Sequence, residues 1–194
     1  LEGRGHLRMQ HEGLDVPDAD EPLALVLLME GADPIRDATD VAIWRSHGLR
    51  IVGLTWANGT RYAGGNSSGG GLSDAGRDLV EALDESGILH DASHCSDAAL
   101  DDLLSHAKGS IVATHSNSRV VLGTENQRHL SDDHARAILD RDGVIGLNLF
   151  TKFLTRDRRA TIDDCVAHVL HFCELAGNRR QVALGSDFDG GFGP

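Results

Sequence analysis

Cysteine is scarce in this 194-residue sequence: Cys95, Cys165 and Cys173 make an odd number, with no Cys-x-x-Cys. Cys165 and Cys173 fall eight positions apart in a stretch of helical pattern, about 12 Å along an axis, too far to bridge. All three therefore read as reduced thiols, which points to a cytoplasmic protein. Basic charge is also short, since 18 Lys plus Arg stand against 30 Asp plus Glu, a formal charge of -12. Such a balance repels a phosphate backbone and argues against nucleic acid as a partner. No apolar run approaches the ~20 residues of a membrane span, and no basic-then-apolar leader opens the chain. The glycines at 69–71 are not followed by Gly-Lys-Ser/Thr, which removes a phosphate-cradling P-loop.

What is present is ordinary globular composition, 40% hydrophobic and 25% charged, enough for one sizeable core. Residues 1–22 are polar, carry His6, His11, Pro17 and Pro22, and show no period, so they read as a linker or the remnant of an upstream segment. From there, 23–194 form the expected catalytic domain. Apolar runs of strand length at 24–29, 50–55, 88–93, 110–114, 144–149 and 181–186 alternate with amphipathic stretches at 37–47, 74–85, 97–106, 132–141 and 161–176. This is the pattern of successive βα units on a parallel sheet. Ser73, Ser96 and Ser131 stand as N-caps, and Gly48, Gly87, Gly109, Gly143 and Gly177 as C-terminal stops. An open doubly wound sheet and part of a (βα)8 barrel both fit. The arithmetic favours a barrel incomplete at both ends, because a full one takes ~250 residues. The segment 56–72 is too glycine-rich to predict a packed element: a flexible surface loop suits Gly69 to Gly71, and an active-site loop is the functional alternative.

In both architectures ligands bind beyond the carboxyl ends of the strands. Glu30 closes ALVLLM, His94 follows ILHDAS, His115 follows SIVAT and Asp187 follows QVALGS. Singly, each has a plain explanation, because a lone His is commonly a satisfied core or surface side chain and a carboxylate after a strand commonly caps the next helix. Jointly, two imidazoles and two carboxylates from four strands of one rim make a nitrogen and oxygen donor set suited to zinc or a similar divalent ion. His47, His106, His134, His168 and His171 fall in or at the ends of expected helices, where a solvated face accounts for them. His90 points as His94 does but sits deeper, so core packing is expected of it.

The stretches LMEGADPI, ILHDASHCSD, VATHSNSR, RHLSDDHARAI and VALGSDFDG resemble, in order and spacing, the motifs of the membrane (renal) dipeptidases, over nearly all of 23–194. The resemblance implies a metal-dependent hydrolase barrel of the amidohydrolase-like type, holding two zinc ions and taking a dipeptide or similar small substrate. By that resemblance Glu30 matches the carboxylate bridging the metals, and His94 and His115 the imidazole ligands of the second metal. Asp187 matches the acid/base that holds the attacking water, and Arg128 the arginine that binds the dipeptide's terminal carboxylate. Asp189 is expected to support the turn at Gly190 and Gly191 instead. A homodimer is the analogous expectation for assembly.

Three departures accompany the resemblance. No histidine is followed two residues later by aspartate, although the family's first metal takes such a pair, so the missing ligands are expected upstream of Leu1. Trp56 stands where the family carries an oxyanion-stabilising histidine. Phe150 and Phe153 fall where it offers a tyrosine. Two rival readings follow: another metal-dependent amidohydrolase (amidase, lactonase or deaminase), or a non-catalytic binding protein whose metal site has decayed.

Overall fold

In a computed structural model that describes residues 7–10, 18, 20–188 and 190, the alternating pattern becomes a run of parallel strands, with helix following each strand from the third to the seventh. The strands are β1 Leu7–Met9, β2 Leu23–Leu25, β3 Leu27–Glu30, β4 Leu49–Gly53, β5 Leu89–Asp91, β6 Ile111–Val112, β7 Ile145–Asn148 and β8 Val182–Ser186. The helices are α1 Val41–Ser46, α2 Asp74–Glu85, α3 Asp97–His106, α4 Arg119–Leu122, α5 Asp132–Leu139, α6 Thr151–Leu154 and α7 Ile162–Ala176. A 3-10 turn, Ala38–Asp40, replaces the first turns of the helix expected at 37–47.

Strand order decides between the two architectures. β1 pairs with β2, β3 to β6 pair in sequence, β7 pairs with β8, and an isolated parallel bridge from Ala113 to Ile145 carries the order across from β6. β2 runs end to end into β3 with only Val26 between them, and every pairing otherwise joins a strand to the next one along the chain. A doubly wound sheet needs a point where the order reverses, and none occurs among the described strands. The arrangement is the arc of a (βα) barrel. The core between sheet and helices holds Val52 and Leu54 from the β4 side, Leu79 and Leu83 of α2, Leu103 of α3, Ile138 of α5 and Phe172 of α7, each fully buried. Leucines of the outermost strands, Leu23, Leu25, Leu27 and Leu184, stand exposed.

The expected caps form. Hydroxyl oxygens of Ser73, Ser96 and Ser131 accept from the backbone N–H of Gly76, Ala99 and His134 at 3.0, 3.1 and 3.2 Å. The glycine stops divide into two kinds. Gly177 ends α7 at φ 65°, where glycine costs least. Gly143, by contrast, is set by close approach, since a Cβ there would lie 2.2 Å from the Ile111 carbonyl oxygen.

Three features depart from expectation. A strand, β1, lies inside the polar segment 1–22 and pairs Leu7 with Leu23. The segment 56–72 is packed rather than loose. Tyr62, Ala63 and Leu72 join the core, Tyr62 donates its hydroxyl to the Ile35 carbonyl, and Ser67 N–H reaches the Ala57 carbonyl at 2.7 Å. Finally, His134 and His168 are buried, His168 completely, where it accepts from the Ser118 N–H at 3.2 Å. A solvated face does not account for either. His90 follows its expectation, fully buried with Nε2 2.7 Å from Asp84 Oδ1.

Candidate metal centre and active site

Glu30, His94, His115 and Asp187 lie at the carboxyl ends of strands, and Arg128 lies between α4 and α5. Glu30 is the last residue of β3, His94 and His115 lie three residues beyond β5 and β6, and Asp187 directly follows β8. His94 and Asp187 both sit in the left-handed region, at φ 67°. That conformation is unfavourable for a side chain and is typical of residues held for function.

Nε2 of His94 faces Nε2 of His115 across 3.1 Å. Oε1 of Glu30 lies 3.3 Å from the first and 3.1 Å from the second. Among the described residues this is the one group of three or more such side chains whose donor atoms converge, all within 4.8 Å. Asn66 fixes the proton of one ring. Its Oδ1 lies 3.0 Å from His94 Nδ1, so Nδ1 carries the hydrogen and Nε2 is left with a lone pair toward the cluster. Electron pairs aimed at one point repel unless a cation lies among them. A proton can serve, and hydrogen bonds from His115 and then His94 hold the Glu30 carboxyl far below its usual range despite burial. Burial in turn pulls the His94 imidazole below its ordinary value, toward the neutral form that ligates metal. Two imidazole nitrogens and a carboxylate oxygen form a donor set that fits a divalent ion.

The cluster opens into a cleft of about 260 Å³ lined by Trp56, Asn66, Asn126, Arg128, Phe153 and Asp187 among others. Arg128 is buried. Its Nη1 donates to the His115 carbonyl at 3.0 Å, its guanidinium lies 5.2 Å from the Phe153 ring centre, and its Nη2 is buried without a partner among the described residues. Burial lowers its pKa, opposed by the charges of Asp187, Asp91 and Glu30. Across the cleft, Asn148 Nδ2 donates to Asp187 Oδ2 at 2.8 Å. Trp56 is half exposed, its ring 5.9 Å from that of His94. Phe153 lines the cleft, with Phe150 packed edge-on against it at 4.9 Å.

The structure thus brings Glu30, His94, His115, Arg128 and Asp187 to one cleft; Asp189 lies outside the described residues. Asn66 and Asn148 were not foreseen. Asn148 ends β7 as Glu30 ends β3, so its position at a strand end was the available signal, whereas Asn66 lies in a loop with no period.

A family model described as Membrane dipeptidase (Peptidase family M19) matches residues 7–193. The chain belongs to the membrane dipeptidase family. A metallopeptidase of this fold from Rhodobacter sphaeroides, solved with a phosphinate mimic of the dipeptide L-Ala-D-Ala, superposes with a TM-score of 0.84 at 31% identity over 97% of this chain and 57% of its own. An uncharacterized protein from the pqqA 5' region of Klebsiella pneumoniae is 34% identical over 96% of this chain and 73% of its own length. An uncharacterized dipeptidase of Schizosaccharomyces pombe is 32% identical over 87% of this chain and 42% of its own. The chain therefore spans little more than half of the solved relative and less than half of the fission-yeast one. Free cysteines agree with the reduced reading, and burial pushes the Cys95 thiol up to about 12, far from reactivity. Among the described residues no helix is long and apolar enough to cross a membrane.

Proposed function

We propose that this chain carries the catalytic cleft of a zinc-dependent dipeptidase. The observation that carries the reading is the joining, in one cleft, of a metal donor set (Glu30, His94, His115) to a buried guanidinium with an unpartnered N–H (Arg128). A solved relative that binds a dipeptide mimic supports the substrate class. Zinc, for which Glu30, His94 and His115 would be ligands, would supply a water acidic enough to act as hydroxide near neutral pH, and two ions are the resemblance's expectation.

The chain's own residues do the rest. Arg128 pairs its free Nη2 edge with the terminal carboxylate of the substrate, selecting short peptides with a free C-terminus. Asp187, oriented by Asn148, accepts the proton of the attacking water as the new C–O bond forms. It returns that proton to the leaving nitrogen as the C–N bond breaks, giving two amino acids. Phe153 and Trp56 flank the cleft and restrict the access of bulk water.

Hydrolysis of a dipeptide panel against the matching dipeptide amides, with zinc supplied to the full-length protein, tests the reading. Turnover of dipeptides with little turnover of the amides is expected. Equal turnover of the amides, or preference for lactones or nucleobases, would turn the assignment to another amidohydrolase.

A further inference from the structure

The proton of His94 is fixed by Asn66, but the second imidazole is held differently. His115 Nδ1 lies 2.8 Å from Thr114 Oγ1, and Thr114 Oγ1 lies 2.5 Å from Asp91 Oδ2. Asp91 is buried, ends β5, and accepts from two backbone N–H groups through its other oxygen, Ser93 at 2.9 Å and Thr114 at 3.0 Å. A carboxylate filled by donors in this way is acceptor-only. A threonine hydroxyl has one hydrogen, and the short contact to Asp91 takes it. What Thr114 then offers His115 is a lone pair.

We infer that Asp91, acting through the Thr114 hydroxyl, is a positioning residue that sets the His115 tautomer: Nδ1 keeps the hydrogen and Nε2 is left bare for the metal. The order runs from His115 Nδ1–H to Thr114 Oγ1, and from Thr114 O–H to Asp91 Oδ2. Direction is the essential part. An asparagine at 91 that keeps its oxygen toward the Ser93 and Thr114 N–H groups must turn its NH2 toward Thr114. The hydroxyl hydrogen then swings to His115, Nδ1 becomes the acceptor, and the hydrogen moves to Nε2, where it blocks ligation. This rests on the reading of His115 as a metal ligand, and it assigns a role to two residues outside the ligand set.

The test is the affinity of the 194-residue chain for Co2+ alone, with no substrate present, followed by the visible absorption of the bound ion and by thermal melting. Asp91→Asn should weaken Co2+ binding about 10- to 100-fold, the usual effect of losing an outer partner of a ligating histidine. Thr114→Val should do the same, and Thr114→Ser should restore near-parental affinity. Because the two residues act in series, adding Asp91→Asn to Thr114→Val should cost little more. Independent, additive losses would show that each supports the fold separately and would overturn the relay, as would an Asp91→Asn chain of parental affinity. Should Asp91→Asn fail to fold, the contrast of Thr114→Val with Thr114→Ser decides alone, and equal affinity of those two rejects the idea. A parental chain that binds no Co2+ defeats the metal centre and the relay together. Co2+ binding without dipeptide turnover by the full-length protein touches only the proposed reaction.

Discussion

Two histidine–carboxylate groupings lie on this sheet, built from the same kinds of side chain and used in opposite ways. Deep in the sheet, His90 Nε2 lies 2.7 Å from Asp84 Oδ1, and Asp84 also accepts from the N–H groups of Lys108 at 2.8 Å and Gly109 at 2.9 Å. Burial alone would raise the Asp84 carboxyl, but hydrogen bonds from His90, Lys108 and Gly109 hold it below its ordinary value, while burial keeps His90 low and neutral. His90 therefore gives its Nε2 hydrogen to Asp84, both of whose oxygens are engaged by the chain itself, while His90 Nδ1 is buried without a partner among the described residues. At the carboxyl rim, His94 keeps its hydrogen on Nδ1, against Asn66, and presents Nε2 to a point it shares with Glu30 and His115. In one grouping the carboxylate is filled by its own chain and joins elements together. The other turns unfilled electron pairs to a cleft. Residue type does not separate a brace from a site; the side of the imidazole that carries the hydrogen does.

Substitutions can break that contrast. The largest effect belongs to the rim, where Asp187→Asn in the full-length protein should lower kcat about 10²- to 10⁴-fold, the usual loss when a general acid/base is removed, with little change in Tm. Near-normal turnover would move the acid/base role to another carboxylate. Asp84→Ala should show the reverse profile. It strips partners from His90 and two backbone N–H groups and should cost about 3 kcal/mol of stability by urea unfolding, with Co2+ affinity unaltered. If metal binding fell together with stability, the two ends of the sheet would not be separable. Arg128→Lys replaces a planar fork by a point charge and should raise KM for dipeptides about tenfold with kcat less affected. An unchanged KM would remove Arg128 from substrate recognition.

The smallest effect concerns pH. His129 is buried, packs edge-on against Phe153 at 4.8 Å, and is pushed by burial from 6.5 down to about 3. Between those two values the unfolded chain binds a proton that the folded chain refuses, so stability is full above about pH 6.5 and declines as pH falls toward 3. His129→Gln, which cannot titrate, should show a shallower decline of Tm between pH 6.5 and 4 than the parent. Identical slopes would mean that His129 is accommodated in its charged form.

Much of this was legible in the sequence, for reasons that particular residues make plain. The bounds of α2 and α3 were readable because Ser73 and Ser96 announce them with caps and apolar residues then recur at helical spacing. Glu30, His94, His115 and Asp187 stood out because, although each alone has a plain explanation, four such groups end strands on one rim. β1, α4 and α6 are three or four residues long, too short to show a period. The packing of 56–72 was hidden because glycine can mean freedom or contact. A Cβ on Gly65 would lie 2.1 Å from the Trp56 carbonyl oxygen, so there it means contact. Asn66, Thr114 and Asp91 were invisible as a group because hydrogen-bond direction is a property of three dimensions.

The spread of the three converging ligands along the chain has a further consequence. Glu30, His94 and His115 come from three separate βα units, so in the unfolded chain they are scattered and hold nothing together. A cation bound by the trio is thus a ligand of the native state alone, and mass action ties folding to its supply, by about 2.7 kcal/mol when free metal stands a hundredfold above Kd. The melting temperature becomes a gauge of the metal in the surrounding solution. A chelator, which touches no part of the polypeptide, would then act on it as a denaturant.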